Sequence, residues 1–226
     1  RDPEMAQAAQ DLGLVLGISR GEQDAWAIRS HALARQHAAA REVEIVQVEG
    51  VREDTFTRDL TDRHCARAPQ VCGDITAANM AVAADAAAFV LIVSDQMAAR
   101  LGRGGMRLIE GATLGATPEQ PGLGPLPAIR QVLTRHGITP QDLHRAEIME
   151  AFAVQALACL KRAGLEPDIV NPNGGALAQG HPIGASGAIL AVKLFHALKP
   201  GDGPALAAIA AAGGIGSAAL FEATTT

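Results

Sequence analysis

The segment NPNGGALAQGHPIGASG, residues 171–187, places one histidine, His181, among five glycines. An imidazole titrates near neutral pH, so it can serve as a general acid or base. Glycines permit positive φ angles and let a ligand or another backbone approach closely. No carboxylate stands beside the ring in the sequence to orient it. The spacing therefore leaves two alternatives open for His181, a catalytic group or a loop histidine.

Phosphate binding is a further interpretation of the same segment. The helix predicted to begin near Ser186 would direct free N–H groups and the positive end of its dipole toward a ligand. The segment lacks the lysine of a P-loop and does not match GxGxxG. As a nucleotide-binding motif it is therefore weak.

The chain has three cysteines, Cys65, Cys72 and Cys159. Their number and spacing fit neither a disulfide framework nor a zinc site, so we expect no bound metal. We interpret residues 51–72, which contain two of them, as a solvated loop. Cys159 lies within an apolar helical pattern and is predicted to be a small core residue rather than a nucleophile.

Composition excludes several classes of function. The 226 residues carry a formal net charge of −5, and 48% of them are hydrophobic. The acidic balance gives no reason to expect nucleic acid binding. Apolar runs are too short to span a membrane and no leader is evident, so a cytoplasmic protein is expected. The start at Arg1, inside a helical pattern, suggests a piece of a longer protein.

Helical and strand patterns alternate along the chain, which favours an α/β layered fold. In the helix after Ile18, Ser19 and Glu22 form a capping-box pattern, apolar residues supply the buried face, and Arg, Gln and His supply the solvated face. Helices are predicted at 5–17, 18–40, 125–137, 149–164 and 186–199, and also in the alanine-rich stretch before residue 89. Strands are predicted at 42–50, 89–95, 107–116, around 146–148, at 168–170 and twice within 204–223.

These motifs resemble the thiolase family, whose members form or cleave β-ketoacyl-CoA. NPNGGALAQGHPIGASG is similar to the family's glycine–histidine motif. EIMEAFAVQALA is similar to its Asn-Glu-Ala-Phe-Ala helix, and AAAGGIGSAALFE to its Cys-x-Gly-Gly-Gly turn. ISRGEQDAWAIRSHALA resembles a helix of its CoA-binding loop domain, and GDITAANMAVAADAAAFVLIVSD the end of its N-terminal domain. The resemblance covers nearly the whole chain.

The resemblance implies a truncated version of the family's α-β-α-β-α layered fold. Residues 1–72 would be the remainder of the helical loop domain, residues 73–104 the last helix and strand of the N-terminal domain, and residues 105–226 a complete C-terminal domain. The family's nucleophilic cysteine lies in the half that has no counterpart here.

The resemblance also implies roles for particular residues. His181 matches the histidine that activates the nucleophilic cysteine and helps to hold the thioester oxygen. Phe152 matches the aromatic wall of the acyl pocket. The backbone N–H of Ala212 matches a donor to the acyl-enzyme oxygen. Gly180 and Ala81 fall at substrate-binding positions.

Departures from the family pattern put part of the chemistry in doubt. Met149 replaces an asparagine that holds a catalytic water, and a thioether cannot donate a hydrogen bond. Ala210 replaces the second cysteine, the acid/base of the family, and alanine cannot move a proton. Ala81 replaces a serine of the CoA pocket, while Val82 and Ala86 replace nearby glycines.

The expected function is therefore acyl transfer between CoA and a cysteine, with the acyl-CoA thioester as substrate and no other cofactor. The first alternative is a non-catalytic thiolase-fold protein that binds acyl-CoA or a partner subunit. The second is a condensing enzyme of the ketoacyl-synthase type, whose GHxxGAxG loop is similar to GHPIGASG. The resemblance also implies a homo-oligomer, or a partner subunit that supplies the missing half, and the strongly apolar helices are compatible with either.

Overall fold

The computed structural model describes residues 4–225. The strands are β1 (Gln70–Cys72), β2 (Ile75–Thr76), β3 (Gly105–Gly115), β4 (Arg145–Ile148), β5 (Ala205–Ala211) and β6 (Ile215–Thr224). A four-stranded sheet in the order β3-β6-β5-β4 forms the centre of the structure, and β1 and β2 form a separate hairpin. β6 runs antiparallel to both β3 and β5, whereas β4 and β5 are parallel.

Helices cover both faces of this sheet. The helices are α1 (Met5–Leu16), α2 (Arg20–Gln36), α3 (Ala38–Arg41), α4 (Asp62–Arg67), α5 (Asp95–Leu101), α6 (Pro125–Arg135), α7 (Ala153–Ala163), α8 (Ala176–Gln179) and α9 (Ser186–Ala197). On one face, α6 packs on β3 and β6, with α7, α1 and α2 beyond it. On the other face, α9 packs on β4 and β5.

Alternation along the strands divides the apolar side chains between two cores. In β5, Leu206 and Ala208 belong to the larger core with α6 and α7, whereas Ala205 and Ala207 belong to the smaller core with α9. Successive strand residues point to opposite faces of a sheet, so both faces of β5 require apolar side chains. The fully apolar sequence ALAAIAA satisfies that requirement.

Local signals correctly predicted where several helices begin and end. Ser19 caps α2 and forms the predicted capping box with Glu22. Gly17 and Gly164, with φ of 64° and 69°, end α1 and α7 in the left-handed conformation that glycine adopts without strain. The helices predicted at 125–137 and 186–199 and the strands predicted at 107–116 and within 204–223 are confirmed.

The strand predictions at 42–50 and 89–95 are wrong. Residues 42–50 alternate polar and apolar residues, yet they form a 3₁₀ turn followed by exposed chain with a single bridge between Val48 and Val51. Residues 89–95 lie outside the sheet, and the side chain of Phe89 is 89% exposed. The predicted helix before them is also absent from the described structure, since residues 84–94 have no regular secondary structure. An apolar run becomes a strand only where a neighbouring strand pairs with it.

Smaller corrections concern the ends of elements and the burial of polar residues. α7 begins at Ala153 rather than at Met149, and residues 167–169 form a 3₁₀ turn instead of a strand. Gln23 and His31, predicted on the solvated face of α2, are buried. α2 packs against both α7 and α8, so two of its faces are covered.

The stretch 51–72 is also more ordered than a solvated loop. It contains α4, and Cys65 of that helix is 1% exposed in the main core. Among residues 4–225, no helix is both long enough and apolar enough to cross a membrane.

Candidate active site

Residues 171–181, which we name the glycine loop, lead from the edge of the sheet to His181. Gly174 and Gly180 have positive φ angles of 79° and 92°. A Cβ on Gly175 would lie 2.2 Å from Oε2 of Glu150, so any side chain there would collide with a buried group. The glycines therefore serve close packing of the loop, as their types predicted.

Two hydrogen bonds hold His181. Its backbone N–H donates to the carbonyl of Val82 over 2.8 Å, and its ring Nδ1 lies 2.7 Å from Oγ of Ser186. The hydroxyl of Ser186 donates its only proton to the carbonyl of Pro182 over 2.9 Å. With that bond made, Oγ accepts a hydrogen bond from the protonated Nδ1 of the neutral ring, and Nε2 keeps its lone pair. The ring of His181 is therefore oriented by Ser186, five residues later in the chain, and not by a neighbouring carboxylate.

Burial favours the neutral form of this ring. His181 is half-buried, and the resulting loss of hydration lowers the pKa of its imidazole below the usual 6.5. A neutral histidine with a free Nε2 is a proton acceptor at neutral pH. The arrangement can therefore accept a proton from a group that approaches Nε2.

An extended segment, residues 79–83, joins His181 to Phe152. The N–H of Ala81 donates to the carbonyl of Ala151 over 3.0 Å, and Met80 pairs with Phe152 as an isolated bridge. On its other side the same segment pairs with His181 through Ala83. Ala81, Phe152 and His181 are thus brought together along one short stretch of backbone, and Gly180 directly precedes the histidine.

Gly180 allows the close approach of this segment. A Cβ at Gly180 would lie 2.8 Å from Cβ of Ala84 and 3.5 Å from Val82, and the positive φ disfavours any other residue. The loop can therefore contact the segment only with glycine at this position.

Ala210 and Ala212 lie on a different element. Ala210 pairs with Gly216 across the β5–β6 hairpin, and Ala212 is exposed in its glycine turn. The turn packs against the chain before α6, where a Cβ on Gly214 would lie 2.7 Å from the carbonyl of Ala116. Within residues 4–225, no hydrogen bond joins this turn to His181.

Met149 points into the smaller core. Its side chain is 3% exposed and belongs to the apolar cluster that includes Leu190 and Leu194 of α9. An apolar side chain is favourable among such neighbours, whereas an unpaired amide would be costly. Methionine, rather than the asparagine of the family pattern, therefore suits the apolar surroundings of position 149.

Glu150, which the sequence reasoning did not single out, is the most heavily hydrogen-bonded side chain around the glycine loop. Its buried carboxylate accepts from Trp26 Nε1 at 2.9 Å, Ser30 Oγ at 2.8 Å and Asn171 Nδ2 at 2.8 Å. The N–H of Leu177 donates to it over 3.3 Å. One carboxylate thus links α2, the end of β4 and the glycine loop. The sequence did contain a signal for this role, because Glu150 is the one charged residue in the apolar stretch IMEAFAV.

A groove of about 680 Å³ opens beside residues 77–83. This volume is typical of small-molecule sites. Arg58 and Arg67 line it with apolar side chains between them, and the guanidinium of Arg58 lies 4.6 Å from the centre of the Phe56 ring. Ala81 is among the lining residues, whereas Phe152 and His181 are not. Guanidinium groups suit phosphate, and the apolar stretch suits an uncharged portion of the same ligand.

Cys159 is a core residue, as predicted. It is 0% exposed, its thiol donates to the carbonyl of Gly122 over 3.1 Å, and burial raises its pKa to about 12. Burial likewise raises the pKa of Cys65 to about 11. A thiol with so high a pKa is a poor nucleophile at neutral pH. Within the described part of the chain, no three His, Cys, Asp or Glu side chains come together as a metal site would require.

Comparison with known proteins assigns the chain to a family. The family model for the thiolase N-terminal domain matches residues 1–96, and that for the thiolase C-terminal domain matches residues 105–223. The chain belongs to the thiolase family, and its fold is the thiolase fold.

Named relatives agree with this assignment. A Bacillus subtilis protein named Putative acetyl-CoA C-acetyltransferase YhfS is 40% identical over 98% of this chain and 64% of its own length. The Bacillus anthracis acetyl-CoA acetyltransferase structure matches 99% of this chain and 62% of its own, with a TM-score of 0.91 and 32% identity. The Acat5 thiolase from Ascaris suum in complex with coenzyme A matches 96% of this chain and 59% of its own, with a TM-score of 0.87 and 31% identity. The chain therefore spans about three fifths of the length of such relatives.

Proposed function

We propose that this chain carries the base and the substrate-binding part of a thiolase-type acyltransferase that acts on acyl-CoA. The observation that carries the proposal is the ring of His181, whose Nδ1 is engaged by Ser186 and whose Nε2 is free to accept a proton. Relatives named acetyl-CoA acetyltransferases support the reaction class.

In this proposal a cysteine thiol outside the chain is the nucleophile. The thiol loses its proton to Nε2 of His181, the resulting thiolate attacks the thioester carbon, and the bond from that carbon to the sulfur of CoA breaks. The departing CoA thiolate takes the proton back from His181, so the charges balance. In the complete site proposed here, the N–H of Ala212 donates to the carbonyl oxygen and stabilises the negative charge there.

The remaining candidate residues are assigned to binding. Phe152 is proposed as a wall of the acyl pocket, and Ala81 and Gly180 shape the backbone next to it. The groove with Arg58 and Arg67 is proposed to bind CoA itself, because an amphiphilic anion matches its mixture of cationic and apolar residues. The acyl-CoA thioester is the substrate, and no further cofactor is required.

We further propose that another polypeptide segment covers residues 86–93, which we name the apolar segment. Phe89, Leu91 and Ile92 are 89%, 83% and 87% exposed there, and Phe195 on the outer face of α9 is 50% exposed. Exposed apolar surface of this kind indicates a protein interface. A second copy, or a partner that supplies the remainder of a thiolase, is the proposed occupant.

Intact-mass spectrometry tests the enzymatic proposal. The chain is co-expressed with a polypeptide that supplies the thiolase segment bearing the nucleophilic cysteine, and the complex is incubated with acetyl-CoA. We expect one acetyl group per nucleophilic cysteine, and loss of this acylation in His181→Ala. A complex that binds acetyl-CoA but never gains acetyl mass would refute the enzymatic proposal.

The substitutions at Met149 and Ala210 favour a second candidate, an acyl-CoA-binding protein without turnover. Neither residue can move a proton or hold a catalytic water through a strong hydrogen bond. Calorimetric titration of the chain with CoA and with acetyl-CoA measures binding independently of any turnover. The chain alone is expected to release no CoA from acetoacetyl-CoA. Release that disappears in Cys159→Ala would contradict the assignment of Cys159 to the core.

A further inference from the structure

Lys193 is a buried lysine that contacts the glycine loop from α9. It is 2% exposed, and its ammonium group donates to the carbonyl of Gly174 over 2.6 Å. The same ammonium lies 2.9 Å from Oε2 of the fully buried Glu147. The other two lysines of the chain, Lys161 and Lys199, are exposed. Because burying an ammonium is costly even when it is paired, this position requires an explanation.

The explanation begins with the peptide group between Gly174 and Gly175. Lys193 contacts its carbonyl oxygen, and its N–H donates to Oγ of Ser30 over 2.9 Å. The hydroxyl of Ser30 donates in turn to Glu150 over 2.8 Å. A buried cation on the oxygen side and a buried carboxylate behind the N–H side polarise the peptide in the same direction, and hydrogen bonds in such a chain strengthen one another.

Glycine at position 174 leaves the orientation of this peptide group to its hydrogen bonds. A Cβ on Gly174 would lie 2.6 Å from the carbonyl of Ser30 and 2.7 Å from Cβ of Ala34. Side chains are therefore excluded, and hydrogen bonds alone must fix a backbone that is intrinsically free. Removing the cation would leave the carbonyl of Gly174 with only the 3.2 Å bond from Gln179 Nε2 among the described contacts.

α9 also holds the other end of the glycine loop. Ser186, which bonds the ring of His181, lies seven residues before Lys193, and both are on the buried face of this helix. Seven residues are two turns, or about 10 Å along the helix axis. One rigid element therefore contacts the loop both at Gly174, near its start, and at His181, its last residue.

We propose that Lys193 is a positioning residue for His181: through the Gly174–Gly175 peptide it sets the path of the glycine loop and so the place and orientation of the imidazole. The effect on catalysis rests on the proposed function, whereas the effect on the ring does not. Lys193 contacts no substrate in this proposal, and it acts only through the backbone that leads to the histidine.

Nitrogen-15 NMR of the histidine rings tests the positioning effect on the chain itself. The spectrum of His181→Ala identifies the His181 resonances among the seven histidines. We expect the unsubstituted chain to show His181 as the Nδ1-protonated tautomer, and Lys193→Met to shift both ring nitrogens toward averaged values. Lys161→Met, the matched loss of an exposed lysine, is expected to leave them unchanged.

Lys193→Gln covers the case in which Lys193→Met fails to fold, because it retains a donor for Gly174 while removing the charge. A folded Lys193→Gln with smaller shifts in the same direction would support the proposal. Ring resonances identical to those of the unsubstituted chain, in either folded variant, would overturn it.

Acylation of the co-expressed complex separates this proposal from the proposed function. A displaced base should slow acyl transfer by about a hundredfold while the affinity for acetyl-CoA stays within about twofold, since only the reacting group is misplaced. If the NMR shifts occur but the unsubstituted complex never acylates, Lys193 still positions His181 and the acyltransferase proposal fails. If the unsubstituted complex acylates and Lys193→Met acylates equally fast, the positioning proposal fails.

Discussion

The glycine loop and the apolar segment differ in what holds them. The glycine loop has irregular backbone, yet buried polar groups from three separate parts of the chain bond to it: Glu150, Ser30 and Lys193. The apolar segment has the composition of a buried strand, yet Phe89 and Leu91 are more than four fifths exposed and pair with no strand within residues 4–225. Specific polar contacts fix a path within one chain, whereas an apolar segment has a defined place only where other residues cover it.

The largest expected effect is that of removing the carboxylate behind the glycine loop. Glu150→Ala leaves four buried donors without their acceptor, and we expect the free energy of unfolding to fall by about 3 to 5 kcal/mol. Urea denaturation followed by the fluorescence of Trp26, the single tryptophan, measures it. Glu166→Ala, an exposed glutamate, is the control. Equal stability of the two variants would show that the network does not hold the loop.

The second effect is a pH dependence of stability that originates at the buried His31 of α2, next to Ser30. Burial, followed by the charge of Arg58, lowers the pKa of His31 to about 4, and its Nδ1 accepts from the N–H of Arg58 over 3.2 Å. Between pH 6.5 and 4 the unfolded chain binds a proton at His31 that the folded chain does not. The contribution of His31 to the free energy of unfolding is therefore fully present above pH 6.5, and the free energy of unfolding falls by about 3 kcal/mol toward pH 4.

Stability curves at several pH values check this prediction. His31→Gln keeps an acceptor for Arg58 but does not titrate in this range, so we expect its loss of stability between pH 6.5 and 4 to be much smaller. The exposed His196→Gln serves as the control. An unchanged pH slope in His31→Gln would assign the acid sensitivity to other groups.

A smaller effect is expected at Ser186, the serine that bonds the ring of His181, the proposed base. Ser186→Ala removes the partner of Nδ1, and we expect about 1 kcal/mol less stability. Acyl transfer by the co-expressed complex should slow by about tenfold to a hundredfold, as when a supporting partner of a functional histidine is lost. Ser217→Ala, which removes a half-buried hydroxyl on β6 that bonds only Thr113 among the described contacts, is the comparison. Full activity in Ser186→Ala would exclude control of the tautomer by this hydroxyl.

The smallest effect on stability is expected in the apolar segment. Leu91→Ser should change the free energy of unfolding by less than about 0.5 kcal/mol, because Leu91 is 83% exposed. It should nevertheless weaken association with the complementing polypeptide in native mass spectrometry. Leu14→Ser replaces another exposed leucine, on α1, and should leave association intact. Equal association of both variants would mean that the apolar segment is not the interface.

The sequence by itself determined the local devices and the family. Ser19 with Glu22, and the glycines that end α1 and α7, act within a few residues of chain, so their effect can be read without the fold. The motif around His181 and its resemblance to thiolases were equally legible, because a close-packed glycine loop tolerates few other residue types.

Only the tertiary structure decided what lies next to what. Trp26, Glu150 and Asn171 are far apart in sequence and share one buried carboxylate, and no periodic pattern encodes that contact. The wrong strand predictions, at 42–50 and 89–95, have the same cause, since a strand requires a partner that local sequence does not specify. Burial and strand pairing depend on the tertiary arrangement of the whole chain, whereas helix caps and turns depend on a few neighbouring residues.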